Sequence, residues 1–247
     1  MAESSGRPFL TAEWRYLAMF NYEIAPGHLQ PLVPPHTELD TFNGRALVSL
    51  IGFRFLDTRI LGLPIPFHRS FVEVNLRFYV KREAPDGWHH GVVFIKEMVP
   101  KPAITLAARA FYNEPYHTLP MRHHVNMAAG DDNTPGSVRY GWRFRKRWQH
   151  MEISTSGRAV PPATGSEAEF ISVRHWGYGT HRDGGGIEYR VTHPRWSVWK
   201  AHRHSMQCDI AGLYGPQFAE PLHHPPSSAF VADGSAVSVY PARRLGP

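Results

Sequence analysis

The sequence predicts a mainly β protein built from antiparallel strands. Several segments alternate apolar and polar residues with the two-residue period of a strand. The chain of 247 residues contains 21 glycines and 22 prolines, and these turn-forming residues recur between the strand-like segments. Segments with helical periodicity are few and short. This combination is typical of a sandwich or a barrel of antiparallel strands.

Three predicted hairpins account for much of the sheet. The first spans residues 38–53, where an Asn-Gly pair separates two β-prone runs and favours a type I′ turn. The second joins residues 70–80 to residues 90–99 across a turn rich in Pro, Asp and Gly. The third joins residues 173–180 to residues 186–193 around an Asp-Gly-Gly-Gly turn. Each hairpin has strand-like runs on both sides of its turn.

We expect only one or two short helices. Ser166 followed by Glu169 forms a capping box, which predicts a helix that begins there. A second helix is predicted near the N-terminus, at residues 14–24. No internal repeat, charge block or change in composition marks a boundary, so residues 1–247 are predicted to form a single domain.

Composition and charge exclude several classes of protein. One cysteine, Cys208, excludes an intrachain disulfide framework and is typical of a reducing compartment. The N-terminal residues lack the apolar segment of a secretory signal, and the longest apolar run, residues 46–53, is too short to span a bilayer. We therefore expect a soluble cytoplasmic protein with no membrane partner. The net charge of +6 favours anionic ligands.

Two further patterns resemble a nucleic-acid site and a metal site, but the sequence supports neither. Residues 139–150 mix arginines with aromatic side chains, but strand alternation separates them onto opposite faces. The arginine face suits a subunit interface in a homo-oligomer better than a nucleic acid. Among the sixteen histidines, His202 and His204 share a strand face near Cys208. Since no zinc-site spacing occurs, we expect no metal ion and no cofactor.

One predicted strand, residues 71–80, carries charged and amide side chains on a single face. Glu73, Asn75 and Arg77 alternate with apolar residues. This polar face either meets solvent, with an ion pair between Glu73 and Arg77, or lines a cavity inside a barrel. In a cavity, Arg77 would bind a carboxylate through two parallel hydrogen bonds. Glu73 would orient that arginine or transfer protons.

A second candidate stretch follows further along the chain. Residues 104–113 are interpreted as a strand that carries Arg109 among small apolar residues. A buried arginine is rare unless paired, so Arg109 is either an ion-pair partner or a ligand-binding group. The stretch then reaches a proline that is followed by Tyr116 and His117.

Four segments together resemble a known family, catalogued as domain of unknown function 2071. They are residues 26–53, 71–80, 108–121 and 165–179. The resemblance extends from about Trp14 to Arg244. That family is distantly similar to acetoacetate decarboxylase, and this similarity implies an antiparallel β-barrel with a buried pocket.

The decarboxylase pattern departs from this chain at its reactive lysines. Arg109 takes the position of the enzyme's arginine, and Glu73 that of a pocket carboxylate. The lysine that forms the Schiff base in the enzyme falls on Tyr116, and the next lysine falls on His117. Tyrosine has no amine and forms no imine. Lys96, in an apolar β-prone run, is the alternative candidate for a pocket lysine.

Two functions follow from this resemblance and from the polar strand. The first is binding of a small carboxylated or keto-type molecule, with an arginine on the anion. The second is a lyase-like enzyme that acts on a keto acid through His117 and Glu73 without an imine. A third alternative is a filled barrel that acts only through its surface. The predicted pocket residues are Glu73, Asn75, Arg77, Arg109, Tyr116 and His117.

Overall fold

The computed structural model of the protein describes residues 6–111, 115–127 and 135–246, and for residues 107–111 it describes the backbone alone. The chain is mostly strand in these ranges. The strands are β1 (Leu10–Glu23), β2 (Glu38–Leu39), β3 (Leu47–Ile60), β4 (Leu63–Pro64), β5 (Phe71–Ala84), β6 (Gly87–Val99), β7 (Tyr116–Thr118), β8 (Met121–Asn126), β9 (Gly136–Phe144), β10 (Arg147–Thr155), β11 (Trp176–Thr180), β12 (Gly186–Thr192), β13 (Val198–Gln207), β14 (Ser228–Val239) and β15 (Arg243–Arg244).

The helices are all short. They are α1 (Pro26–Leu29), α2 (Pro102–Phe111), α3 (Glu167–Ser172), α4 (Ile210–Tyr214) and α5 (Ala219–His223), with 3-10 turns at Gln30–Leu32 and Pro216–Phe218. Sequence reasoning predicted fewer helices than the structure contains. Within the described ranges, none of these helices has the length and apolar character needed to cross a bilayer.

Seven strands close into a ring. Hydrogen-bonded neighbours follow the order β12-β11-β6-β5-β3-β1-β14, and β14 pairs back with β12. Every pair in this ring is antiparallel except the pair between β11 and β6. The predicted class, mainly β with antiparallel pairing, is confirmed, and the predicted barrel corresponds to this closed ring.

A four-stranded sheet covers part of the outside of the ring. It continues from β14 through β13, β10 and β9 to β8. Apolar side chains from both layers, among them Phe20, Leu76 and Trp142, form one buried cluster. Gly52 of β3 allows the layers to approach closely, because a Cβ at this position would lie 2.6 Å from the ring of Tyr140. This contact side of β5 carries its apolar residues, so its polar face points into the ring.

The second and third predicted hairpins and the predicted helix start at Ser166 are confirmed, but the first hairpin is not. Asn43 and Gly44, with φ values of 50° and 79°, form the predicted type I′ turn, which one bridge between Phe42 and Arg45 closes. The runs on either side of this turn do not pair with each other, because β2 and β3 each pair with β5. β5 pairs with β6, and β11 pairs with β12. Helix α3 begins after Ser166, whose Oγ accepts a hydrogen bond of 3.2 Å from the backbone N–H of Glu169.

Three other local predictions are wrong. Residues 14–23 lie in β1 and not in a helix. The helix prediction fails because residues 17–22 are buried on both faces of the strand, and such a continuous buried run resembles a buried helix in sequence. Residues 104–111 are part of helix α2, which starts at Pro102 and is rich in alanine. Residues 139–150, whose alternation is interpreted as one strand, instead form parts of β9 and β10, which are joined by a turn at Arg145 and Lys146.

Candidate ligand-binding site

A cavity of about 320 Å³ lies inside the ring of strands. Its volume is at the lower end of the range for small-molecule sites, roughly 300–1,000 Å³. All seven ring strands contribute side chains to it, and helix α2 and the loop before β5 contribute a few more. The wall is mainly apolar and aromatic, with Phe53, Phe55, Phe71, Phe94 and Ile104 among its members. The described side chains therefore do not fill the ring, contrary to the filled-barrel alternative.

Six of the polar side chains that line this cavity belong to β5 and to the elements next to it. They are Glu73, Asn75 and Arg77 of β5, Glu97 of β6, Tyr116 of β7 and Arg174 after α3. The three side chains of β5 are 2%, 2% and 8% exposed, respectively. The alternative in which this face of β5 meets solvent is therefore wrong. The opposite face of β5 is covered by the outer sheet, which leaves only the ring interior for the polar face.

The carboxyl group of Glu73 lies at the centre of a hydrogen-bonded triad. Asn75 Nδ2 donates to Oε1 of Glu73 at 2.9 Å, and the hydroxyl of Tyr116 donates to Oε2 at 2.9 Å. Burial raises the pKa of Glu73 to about 7, although these two hydrogen bonds and the charge of Arg77 act in the opposite direction. Near neutral pH, Glu73 is thus present in both its ionised and its neutral form.

The guanidinium of Arg77 has no carboxylate counter-ion within the described residues. Its Nη2 donates to the backbone carbonyl of Ile171 at 3.1 Å, while its buried Nε has no hydrogen-bond partner. Glu73 influences Arg77 electrostatically but does not form a salt bridge with it. A buried cation without a partner is costly unless an anion joins it. Arg77 is therefore prepared to bind an anionic group.

A second cavity arginine, Arg174, already has an ion-pair partner. Its Nη1 donates to Oδ2 of Asp40 at 2.5 Å, and Asp40 also contacts Nδ1 of His90 at 2.7 Å. Burial acts to raise the pKa of Asp40, but the contacts with His90 and Arg174 outweigh it and lower that pKa. The guanidinium of Arg174 also lies 3.9 Å from the ring centre of Phe170. Arg174 adds positive potential to the cavity. Sequence reasoning did not identify Arg174 as a cavity residue.

The predicted pocket residues after helix α2 divide between the inside and the outside of the ring. Tyr116 is buried and lines the cavity, whereas His117 is exposed and lies outside it. The expectation that both reach the pocket is wrong, because adjacent residues of a strand point to opposite faces. Arg109 lies on helix α2, and its side chain lies outside the described residues.

No lysine lines the cavity, and all five lysines lie within the described residues. Lys96 is opposite Leu76 on the face of the ring that the outer sheet covers. Its Nζ donates a hydrogen bond to the backbone carbonyl of Leu213, and burial lowers its pKa. Lys96 does not replace the missing lysine in the cavity.

Sequence reasoning missed further polar cavity residues besides Arg174, among them Glu97 and His68. Glu97 lies beside Asn75 in the neighbouring strand and is 1% exposed. His68 reaches the cavity from the loop before β5. The described part of the chain contains no cluster of three or more His, Cys, Asp or Glu residues arranged to hold a metal ion.

A curated relative matches about half of the chain. It is the Uncharacterized protein YqjF of Bacillus subtilis (strain 168), 33% identical over 119 residues. The match covers 48% of this chain, and the chain spans about half the length of that relative.

Two solved structures share the fold over nearly the whole chain. An acetoacetate decarboxylase-like enzyme from Sphingomonas wittichii RW1 has a TM-score of 0.69 and 13% identity, and the alignment covers 96% of this chain and 92% of that one. The enduracididine biosynthesis enzyme MppR, complexed with pyruvate, has a TM-score of 0.67 and 10% identity, with 99% and 93% covered. At these identities, the similarity shows a common fold of the acetoacetate decarboxylase-like type.

The family model agrees with the resemblance seen in the sequence. The model for domain of unknown function 2071, whose description is "Uncharacterized conserved protein", matches residues 11–236. The matched range includes all seven ring strands except the ends of β1 and β14. The chain therefore belongs to the family of domain of unknown function 2071.

Proposed function

We propose that the ring cavity binds a small carboxylic acid with an apolar side chain, of the keto-acid type. The observation that carries this proposal is Arg77, a buried guanidinium without a carboxylate partner among the described residues, in a cavity with mainly apolar walls. A carboxylate would supply the missing counter-ion and the missing acceptor for Nε. The apolar walls would enclose the rest of the molecule.

The other polar groups favour a second oxygen close to the carboxylate. The Oδ1 atom of Asn75 is buried and has no hydrogen-bond partner, while its Nδ2 is held by Glu73. Asn75 lies between Glu73 and Arg77 on the same face of β5. Because Oδ1 only accepts hydrogen bonds, it favours an enol or hydroxyl O–H next to the carboxylate, while a keto oxygen would accept from the second N–H of Asn75 Nδ2. The complex of MppR with pyruvate supports the same ligand class.

The cavity binds its ligand without a covalent bond in this proposal. Formation of an imine needs an amine inside the pocket, and none of the lysines reaches it. The alternative lyase activity through His117 loses its support, because that side chain lies outside the ring.

Calorimetry with a matched pair of ligands tests this proposal. We expect α-ketoisocaproate, an acid with a branched apolar chain, to bind, and methyl isobutyl ketone, which lacks the carboxylate, to bind far more weakly. Arg77→Gln should weaken binding of the acid by about 30-fold or more, because loss of one partner of a buried charge pair costs about 2 kcal/mol or more.

Arg143→Gln is the matched control, since Arg143 is exposed on β9 and does not line the cavity. Its affinity for the acid should equal that of the unchanged protein. Equal binding of the ketone and the acid, or equal losses in the two variants, would show that Arg77 does not hold a carboxylate.

A further inference from the structure

We propose that Glu73 removes and returns a proton on the carbon next to the keto group of the bound acid, so that the cavity catalyses keto–enol exchange. This inference rests on the proposed function, because it takes the carboxylate of the same keto acid to be bound by Arg77. It assigns the site a reaction that needs no imine, no metal ion and no redox partner.

The placement of Glu73 in the cavity carries this inference. Glu73 and Arg77 are four residues apart on the cavity face of β5, with Asn75 between them, so their backbone positions are about 14 Å apart. Their long side chains shorten this distance, and the charge of Arg77 acts on the carboxyl group of Glu73. A keto acid whose carboxylate is bound by the guanidinium places its carbon chain in the space between the two groups. The carbon beyond the keto group then lies on the Glu73 side, among the apolar walls.

The hydrogen bonds of Glu73 fix its carboxyl group without using all its lone pairs. Each oxygen accepts one hydrogen bond, from Asn75 or from Tyr116, and a carboxylate oxygen has two lone-pair positions. A lone pair therefore stays available for a proton. The second N–H of Asn75 Nδ2, which Glu73 does not use, and positively charged Arg77 are the groups that stabilise the charge on the keto oxygen.

The proposed step balances within the site. The C–H bond next to the keto group breaks, and its proton goes to an oxygen of Glu73. The electron pair of that bond forms the carbon–carbon double bond of the enolate, and the carbonyl π pair moves onto the keto oxygen. Glu73 exchanges its proton with water and returns one to the carbon. The ketone forms again, with hydrogen from the solvent in place of the original hydrogen.

The acidity of Glu73 supports its role as the base. Burial raises the pKa of Glu73 to about 7, and a general base works best when its pKa lies near the working pH. Glu97 is the other buried carboxyl group that the structure describes in the cavity wall. It is the competing candidate for the base, and the experiment has to separate the two.

Proton NMR in deuterium oxide measures the exchange directly. We expect the methylene signal next to the keto group of α-ketoisocaproate to disappear faster with the protein than in buffer. Glu73→Gln should slow this exchange by roughly 100-fold or more, the usual contribution of a general base. The same variant should still bind the acid in calorimetry, because Arg77 is unchanged. Glu38→Gln, an exposed carboxylate that pairs with Lys81, should exchange at the normal rate.

The pH profile and two further variants make the outcome decisive. The exchange rate should rise with pH and level off above about 7, because only ionised Glu73 accepts the proton. Glu73→Asp, which keeps a carboxylate if the glutamine variant folds poorly, should restore part of the rate. Loss of exchange in Glu97→Gln together with normal exchange in Glu73→Gln would assign the base to Glu97 and overturn the inference.

Binding and exchange fail separately in this design. Absence of any affinity for the acid would overturn the proposed function and this inference together. Normal affinity with exchange no faster than in buffer would overturn only the inference and leave a binding site.

Discussion

The pH dependence of stability offers a direct test of how Glu73 is held. The perturbation is Glu73→Gln, which replaces the titrating carboxyl group by an amide of nearly the same shape. In the folded protein, the pKa of Glu73 is raised from its usual value of 4.5 to about 7. The folded state therefore retains a proton that the unfolded state releases between these two pH values.

The sign and size of the effect follow from this difference. The contribution of Glu73 to stability is highest below pH 4.5, falls as the pH rises towards 7, and is level above it, because burial penalises the ionised form. A change of one pKa unit corresponds to about 1.4 kcal/mol, so the full loss is about 3 kcal/mol. Between pH 5 and pH 8, the unchanged protein should lose about 2–3 kcal/mol that the Glu73→Gln variant does not lose.

Urea unfolding at pH 5 and at pH 8 measures this difference. The free energy of unfolding of each protein is compared at the two pH values, and the variant should gain relative to the unchanged protein at pH 8. Glu38→Gln, at an exposed and paired carboxylate, should show the pH dependence of the unchanged protein. If the Glu73→Gln and unchanged proteins differ by the same amount at both pH values, Glu73 titrates normally and its role as a near-neutral base is refuted.

Two substitutions and one chemical reaction test the packing, the helix cap and the chemistry of the site. Gly52→Ala should destabilise the fold by about 1–3 kcal/mol, because the Cβ of the alanine would lie 2.6 Å from Tyr140. Thermal unfolding measures this loss of stability, and the control Gly27→Ala, at a position with open space around it, should be nearly neutral. Ser166→Ala should cost about 1 kcal/mol in chemical unfolding through loss of the helix cap, and no change in the midpoint would contradict the cap. Borohydride reduction in the presence of pyruvate should leave the intact mass unchanged, since no lysine lines the cavity; an adduct on Lys96 would contradict this placement.

Strand alternation predicted which residues share a face, but not which face becomes the interior. Alternation places Glu73, Asn75 and Arg77 on one face of β5, and the sequence is compatible both with a solvent face and with a cavity face. The outer sheet decides between them, and its packing side chains come from distant residues such as Tyr140 and Trp142. A local pattern contains no information about that long-range contact.

Long-range contacts also explain why the sequence does not reveal Arg174 and why part of β1 is predicted as a helix. Arg174 is paired with Asp40, a partner 134 residues away in the chain, so no motif connects them. Residues 17–22 of β1 lie between the cavity and the outer sheet and are buried on both faces. Without alternation, the sequence of this segment is as typical of a buried helix as of a central strand.

The closed ring has a consequence for how the chain reaches its native state. β1 pairs with β14, and Leu10 lies opposite Val239, so the ring closes only when both ends of the matched region meet. During synthesis, β1, β3, β5 and β6 are complete long before β14 exists, and they form at most an open sheet with bare edges. Because distant contacts slow folding, ring closure should be the late, slow event. This partly assembled sheet is the stage most prone to join with strands of other molecules.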